Sequence, residues 1–466
     1  MAFCNPLRGD LRSRVWRVIG LTTCLVAASG VCIEPAAAQA ISLVRDTEIE
    51  RVLHGYEDPI LLAAGLDPHL IRIYMVQDPS INAFAMHGPA ASETTDIFIN
   101  TGTLMLLKTP NQVTGVLAHE TGHIAGGDLT KDTRVMNKVM IPMLIGLAAG
   151  VAAMIAGAGE AGMAVMGLGV QTAQSQFLTF SRAQEATADQ RGQKYLLATH
   201  QSGRGMLEVF EQMANEAAMS ARYTTPLISD HPADRDRIDL MQREVDASPY
   251  RDVPDSPEAV HEFKIIQAKL TGFIDPVDSV LVHYPTTDVS EEAHYARAIA
   301  YFRQPNMKDA LDEANTLVKL EPKNPYFWEL LGQIYVEMSQ PEKGVAPYQK
   351  SVDILPDAPL LRISLAAAQL ATEMPQLAKP ALENLKFALR LEDDDTFAWF
   401  EAAQAYSELG NQPMADLSTA ERYYTVGAMK TAVHFAMEAQ RKLPKGSTDW
   451  QRAGDIMLVA GPDANK

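Results

Sequence analysis

The chain has 466 residues, more than one core usually organises, which excludes a single small module and gives a prior of about three domains at roughly 150 residues each. Its composition, 47% hydrophobic and 21% charged, is that of a globular protein and excludes disordered, collagenous and polytopic membrane classes. Forty basic against 58 acidic side chains give a formal charge of −18; a broad phosphate-binding surface needs a positive field, so nucleic acid is excluded as the main partner.

At the N-terminus Arg8, Arg12, Arg14 and Arg17 precede an uncharged stretch from Val18 to Ile33 and a run of small residues ending at Ala40. This order of basic, apolar and A-x-A segments predicts a secretory signal peptide over 1–40, cleaved after Ala38 or Ala40. All three cysteines, Cys4, Cys24 and Cys32, fall inside it, so the exported chain is expected to contain neither a disulfide nor a thiolate metal ligand. Losing four Arg, one Asp and one Glu with it leaves a charge of −20.

Three strand-like stretches follow, Leu70–Val76, Asn82–Met86 and Asp96–Asn100, separated by turn residues and read as a short antiparallel meander. A helix is then predicted from Thr109 as N-cap, Pro110 at the first helical position and Gln112 as capping-box partner, ending at Gly126-Gly127. Inside it lies His119-Glu120-Thr-Gly-His123. Histidines four apart share one helical face, so both imidazoles can reach one cation while Glu120 faces its open side.

Residues 139–170 are almost free of charge but rich in Gly and Ala, with Gly146 and Gly150 four apart. They are read as a pair of apolar helices that covers the core or cleft, dips into a membrane surface or, least in keeping with the small side chains, spans it. A catalytic zinc needs a third protein ligand, and the next candidates are Glu185 and Asp189, again four apart on one face. By spacing alone such a pair is as readily a solvated helix face; the sharper reading gives one carboxylate to the metal and the other to a ligating histidine.

The stretch 246–288, with Val253-Pro-Asp-Ser-Pro257 and Ile274-Asp-Pro276, reads as a linker with short helices. Beyond it Trp328, Gly332, Tyr335, Gly344, Tyr348 and Pro356 occupy the anchor positions of a tetratricopeptide repeat, and a shift of 34 residues aligns Tyr301, Ala310, Ala314 and Pro322 with the last four. Trp399 restarts the pattern 71 residues after Trp328, two periods plus three, which predicts an insertion near Met374 to Ala378. Ala432, Ala436 and Pro444 look out of step, so non-repeat helices are expected at the end.

Together, His119-Glu120-x-x-His123, Ser181-Arg182-x-x-Glu185-x-x-Ala188-Asp189 and His231-Pro232 with Arg237 resemble the zinc metallopeptidases that include the CAAX prenyl endopeptidases, and most nearly periplasmic members with C-terminal repeats. The resemblance implies that His119, His123 and Glu185 bind one Zn2+ per chain, that Glu120 is the general base and that Asp189 orients a ligand. It also implies that His231 lies over the site as a regulatory residue or fourth ligand. Arg237 is a candidate for transition-state or structural support, and Asn82, Ala83 and Phe84 for an edge strand that holds extended substrate. The fold expected is mainly α: an α+β zincin-like catalytic domain with a short antiparallel sheet over 41–245, then an α-solenoid of tetratricopeptide repeats over 289–460. The activity expected is a zinc metalloendopeptidase in the periplasm. Its partners would be unfolded or misassembled proteins, an outer-membrane assembly complex reached through the repeats, and a peripheral membrane contact. The competing readings are a chaperone or assembly adaptor with a latent zinc site, and a membrane-embedded processing peptidase.

Overall fold

A computed structural model describes residues 42–87, 94–128, 182–220 and 235–460. The expected signal peptide, the apolar 139–170 segment and His231 lie outside the described residues.

Helix α1 (Thr47–Ala64) starts where Asp46 accepts a hydrogen bond from the Ile49 amide, and it stops at Gly65 in the left-handed conformation. One sheet has four strands in the order β1-β2-β4-β3, the first preceding α1 and the others following it: β1 (Leu43–Val44), β2 (Ile71–Val76), β3 (Ala83–His87) and β4 (Thr95–Asn100). The expectation of an antiparallel meander is corrected here. β3 does pair antiparallel with β4, but β4 then inserts beside β2 in parallel, and β1 pairs antiparallel on the far side of β2. The alternation of each strand, with Ile71, Ile73 and Met75 or Ile97 and Ile99 on one face, specifies which face is buried but not the order of neighbours.

The short helix α2 (Thr101–Leu106) leads into α3 (Pro110–Gly126), which begins with Thr109 accepting from the Gln112 amide and ends at Gly127, φ 64°. Helix α4 (182–198) and α5 (Arg204–Ser220) pack across α3. Two glycines set these approaches. A Cβ on Gly122 would sit 2.5 Å from the Ala188 carbonyl oxygen, and one on Gly115 would sit 2.5 Å from the Met206 Cα, so α4 and α5 touch α3 backbone to backbone. Helix α6 (Arg235–Ala247) closes this layer, its Met241 and Val245 buried with Tyr195, Leu196 and Phe210.

The stretch expected as a linker contains α7 (Pro257–Ile274), 18 residues long, and the short α8 (Val277–His283). Phe263, Ile266 and Leu270 of α7 enter one apolar cluster with Ile49, Ile73 and Ile97 of the N-terminal part and Tyr295 and Phe327 of the repeats. Each such side chain contributes about 1.5–3 kcal/mol on burial, so 246–288 is a packed bridge and not a loose tether. Lys269 of α7 strengthens it, buried between Asp46 and Glu48 at 2.8 and 3.0 Å.

Five helix pairs then run from Glu291 to Ala460 and form the α-solenoid. The second helix of the third pair, Pro375–Leu391, has 17 residues where its counterparts Pro341–Ile354 and Gln412–Thr425 have 14, which accounts for the extra three in the repeat spacing. At the end, where non-repeat helices are expected, the pair Met429–Lys442 and Thr448–Ala460 continues the alternation of helices, with Ala432 at the place Trp399 holds in the preceding pair. Among the described residues no helix is long and apolar enough to cross a membrane.

Candidate metal centre and peptidase site

Helix α3 presents His119 and His123 on one face, and the backbone contact at Gly122 brings the first turns of α4 opposite them. The Nε2 atoms of the two histidines lie 3.2 Å apart, and Glu185 of α4 meets both, at 3.4 Å from His119 and 3.3 Å from His123. One donor atom from each of the three lies within 4.8 Å of the others, and all three side chains are buried.

Each histidine turns its other ring nitrogen to a carboxylate. His119 Nδ1 is 3.0 Å from Asp189, one turn beyond Glu185, and His123 Nδ1 is 3.3 Å from Asp128, just past the end of α3. These partners set the ring orientations so that both Nε2 atoms face the shared centre. Arg237 of α6 is buried and engages three nitrogens: Nε and Nη2 donate to Asp189 at 2.7 and 2.8 Å, and Nη1 lies 3.1 Å from Glu185. Its guanidinium also lies over the Phe210 ring, which meets His119 in a T-shaped contact.

The electrostatics follow from this packing. Burial opposes charge on His119, but the bonds to Asp189 and Glu185 outweigh it and hold its pKa above the ordinary imidazole value. Burial likewise opposes charge on His123, and Asp128, Glu185 and Glu120 push it up to about 10. Asp189, whose burial alone would raise it, is held below the usual carboxylate range by Arg237 and His119. Four acidic side chains, Glu120, Asp128, Glu185 and Asp189, thus stand around the two imidazoles against two arginines, Arg237 on Asp189 and Glu185 and Arg191 at 3.8 Å from Asp128. That imbalance favours a cation between the imidazoles, and the donor set of two imidazoles and a carboxylate with an open side suits zinc.

Glu120 lies beside His119 and lines a small cavity of about 20 Å³ with Ile81, Asn82, Ala83, Phe210 and Met213. That is room for about one water molecule. Behind the helix, Thr121 donates to the fully buried Glu57 of α1, and burial pushes the Glu57 carboxyl up to about 8.

The structure therefore gathers His119, His123, Glu185, Asp189 and Arg237 into one cluster, with Glu120, Asn82 and Ala83 on the adjoining cavity. Phe84 falls on the other face of β3, stacked on Phe98 at 5.0 Å. His231 lies outside the described residues. Sequence reasoning passed over Asp128, Phe210 and Glu57. Only Asp128 left a signal, a carboxylate five residues after the second histidine, directly beyond the glycine stop of the helix.

The model of peptidase family M48 matches residues 45–245. The beta-barrel assembly-enhancing protease of Escherichia coli (strain K12) is 22% identical over 389 residues, which cover 82% of this chain and 76% of the relative. The metalloprotease LoiP of the same organism is 31% identical over 178 residues, covering 38% of this chain and 62% of that protein. Among solved structures, the tetratricopeptide protein YrrB aligns with 37% of this chain and 89% of its own at 18% identity and a TM-score of 0.31. Residues 45–245 thus match peptidase family M48, in a chain similar along most of its length to the beta-barrel assembly-enhancing proteases.

Proposed function

We propose that this chain is an exported, zinc-dependent endopeptidase of the periplasm that cleaves misfolded or stalled proteins, outer-membrane proteins among them. In this reading the catalytic domain covers 41–245, the bridge 246–288 and the repeats 289–460, and the repeats dock substrate or an assembly complex. The observation that carries it is the convergence of His119, His123 and Glu185 on one centre with Glu120 beside it on a water-sized cavity. The similarity to the beta-barrel assembly-enhancing protease supports the substrate class.

His119, His123 and Glu185 would hold the zinc, one ion per chain. A bound zinc ion supplies Lewis acidity that polarises the scissile carbonyl and acidifies a water molecule. Glu120 takes the proton of the attacking water and delivers it to the leaving amine nitrogen. Asp189 and Asp128 keep the two imidazoles in the tautomer whose Nε2 is free to bind, and Arg237 holds Asp189 ionised and pairs with Glu185. Ala83, at the start of the edge strand β3 and beside the cavity, aligns an extended substrate by backbone pairing, and Asn82 lies just before it on the cavity wall.

The test is to offer the full-length protein one protein substrate in native and unfolded forms, with zinc and with chelator. Zinc-dependent cleavage of the unfolded form alone is expected. Equal cleavage of the native form removes the quality-control reading, and no cleavage of either removes the endopeptidase.

A further inference from the structure

The outward face of the sheet carries a row of stacked rings. Tyr74 of β2, Phe98 of β4 and Phe84 of β3 stand at cross-strand positions, with ring centroids 5.6 Å apart for Tyr74 and Phe98 and 5.0 Å for Phe84 and Phe98. None of the three is fully buried. At the inner end the row is closed: the Arg45 and Arg72 guanidinium groups lie 5.2 and 5.4 Å from the Tyr74 ring, and these arginines are tied to Glu392 and Asp394 of the repeats. At the outer end it stops at β3, which has no further strand beside it among the described residues.

The two faces of β3 differ in size. Inward, Ala83 and Ala85 offer only methyl groups, and Ala83 borders the cavity shared with His119 and Glu120. Outward stand Phe84 and Met86, the latter half exposed. A polypeptide paired with β3 alternates its side chains in the same way, so every second residue falls on the outward face beside Phe84 or Met86. An aromatic side chain there extends the ring row by one member, and cross-strand aromatic pairs and sulfur–aromatic contacts both favour it.

The geometry points to Phe84, backed by Phe98 and Tyr74, as a specificity-determining residue that selects extended segments with aromatic side chains at alternate positions. This rests on the endopeptidase reading above, with substrate held along β3. On its inward face β3 offers the small Ala83 and Ala85, which tolerate variety, whereas the outward row discriminates.

Binding to the zinc-loaded, full-length Glu120→Gln protein tests it without turnover. Fluorescence anisotropy compares labelled decapeptides of one composition that carry two Phe residues spaced i, i+2 or i, i+3. The i, i+2 peptide is expected to bind up to about fivefold more tightly, because its two rings share the outward face. Adding Phe84→Thr is expected to bring the two within about twofold, and Phe98→Thr gives the same direction should Phe84→Thr unfold by circular dichroism. Equal affinities before the substitution, a preference that survives it, or no binding by any peptide overturns the proposal. Failure of the endopeptidase reading shows separately, as a spacing preference in binding with no cleavage of the same peptides by the wild type.

Discussion

Arg237 and Asp189 stand 48 residues apart in sequence and meet through two hydrogen bonds of 2.7 and 2.8 Å, both side chains buried. Asp189 in turn holds His119, and Arg237 also reaches Glu185, so one guanidinium fixes both the carboxylate that would bind metal and the carboxylate that orients a ligand. Replacing Arg237 by Met leaves those two carboxylates buried without their cation. A loss of roughly 3–5 kcal/mol in stability follows from breaking a buried pair in this way. Urea unfolding of the metal-free protein measures it, and a loss under about 1 kcal/mol contradicts the pairing.

Asp128→Asn tests the second orienting contact. A neutral amide still fits beside His123 Nδ1 but no longer favours the tautomer with Nε2 free, so zinc affinity is expected to fall about 10–100-fold. Competition with a coloured chelator reads this directly. The fold should persist, because Asp128 lies at a helix end and not in an apolar cluster.

Gly122→Val puts a branched side chain where a Cβ alone would stand 2.5 Å from the Ala188 carbonyl oxygen. Neither backbone can yield without moving α4, so Glu185 and Asp189 leave the centre together. A stability loss of about 1–3 kcal/mol is expected with a zinc affinity reduced more than by Asp128→Asn. Calorimetry and zinc titration on the same sample separate the two effects.

Glu57 gives a pH dependence of definite sign. Burial raises its carboxyl to about 8 in the folded protein, above its ordinary value near 4.5, so the folded state binds more protons than the unfolded state between those limits. Stability contributed by the protonated form is therefore complete in acid and declines as pH rises from about 4.5 towards 8. In Glu57→Gln that slope disappears. Melting temperatures at pH 5.5 and 8.5 should diverge less in the variant than in the wild type, and an unchanged divergence assigns the slope to other groups.

Much of the site is legible in the chain because its candidate ligands sit on helices. The four-residue spacings of His119 and His123 and of Glu185 and Asp189 are local, and helical geometry alone puts each pair on one face. Which carboxylate would meet metal and which meets histidine depends on how α4 crosses α3, and that crossing is set by backbone contact at Gly122, which no spacing encodes. Arg237 meets Asp189 for a similar reason, through α6. The sheet shows the same division: alternation marks the buried face of Ile97 and Ile99, yet the insertion of β4 beside β2 is a pairing choice made by the tertiary fold. In the repeats, Trp328 and Trp399 announce their helix pairs, whereas the last pair, with Ala432 at that anchor, is recognised only from its packing.

The most direct measurement is proteolysis of an unfolded protein by zinc-loaded wild type and Glu120→Gln, with bound zinc determined by mass spectrometry on the same samples. One zinc per chain is expected in both proteins, with a rate in Glu120→Gln lower by about 10²–10⁴-fold. Wild-type rates in Glu120→Gln with zinc bound, or cleavage that survives complete removal of the metal, would contradict zinc-dependent catalysis with Glu120 as the base.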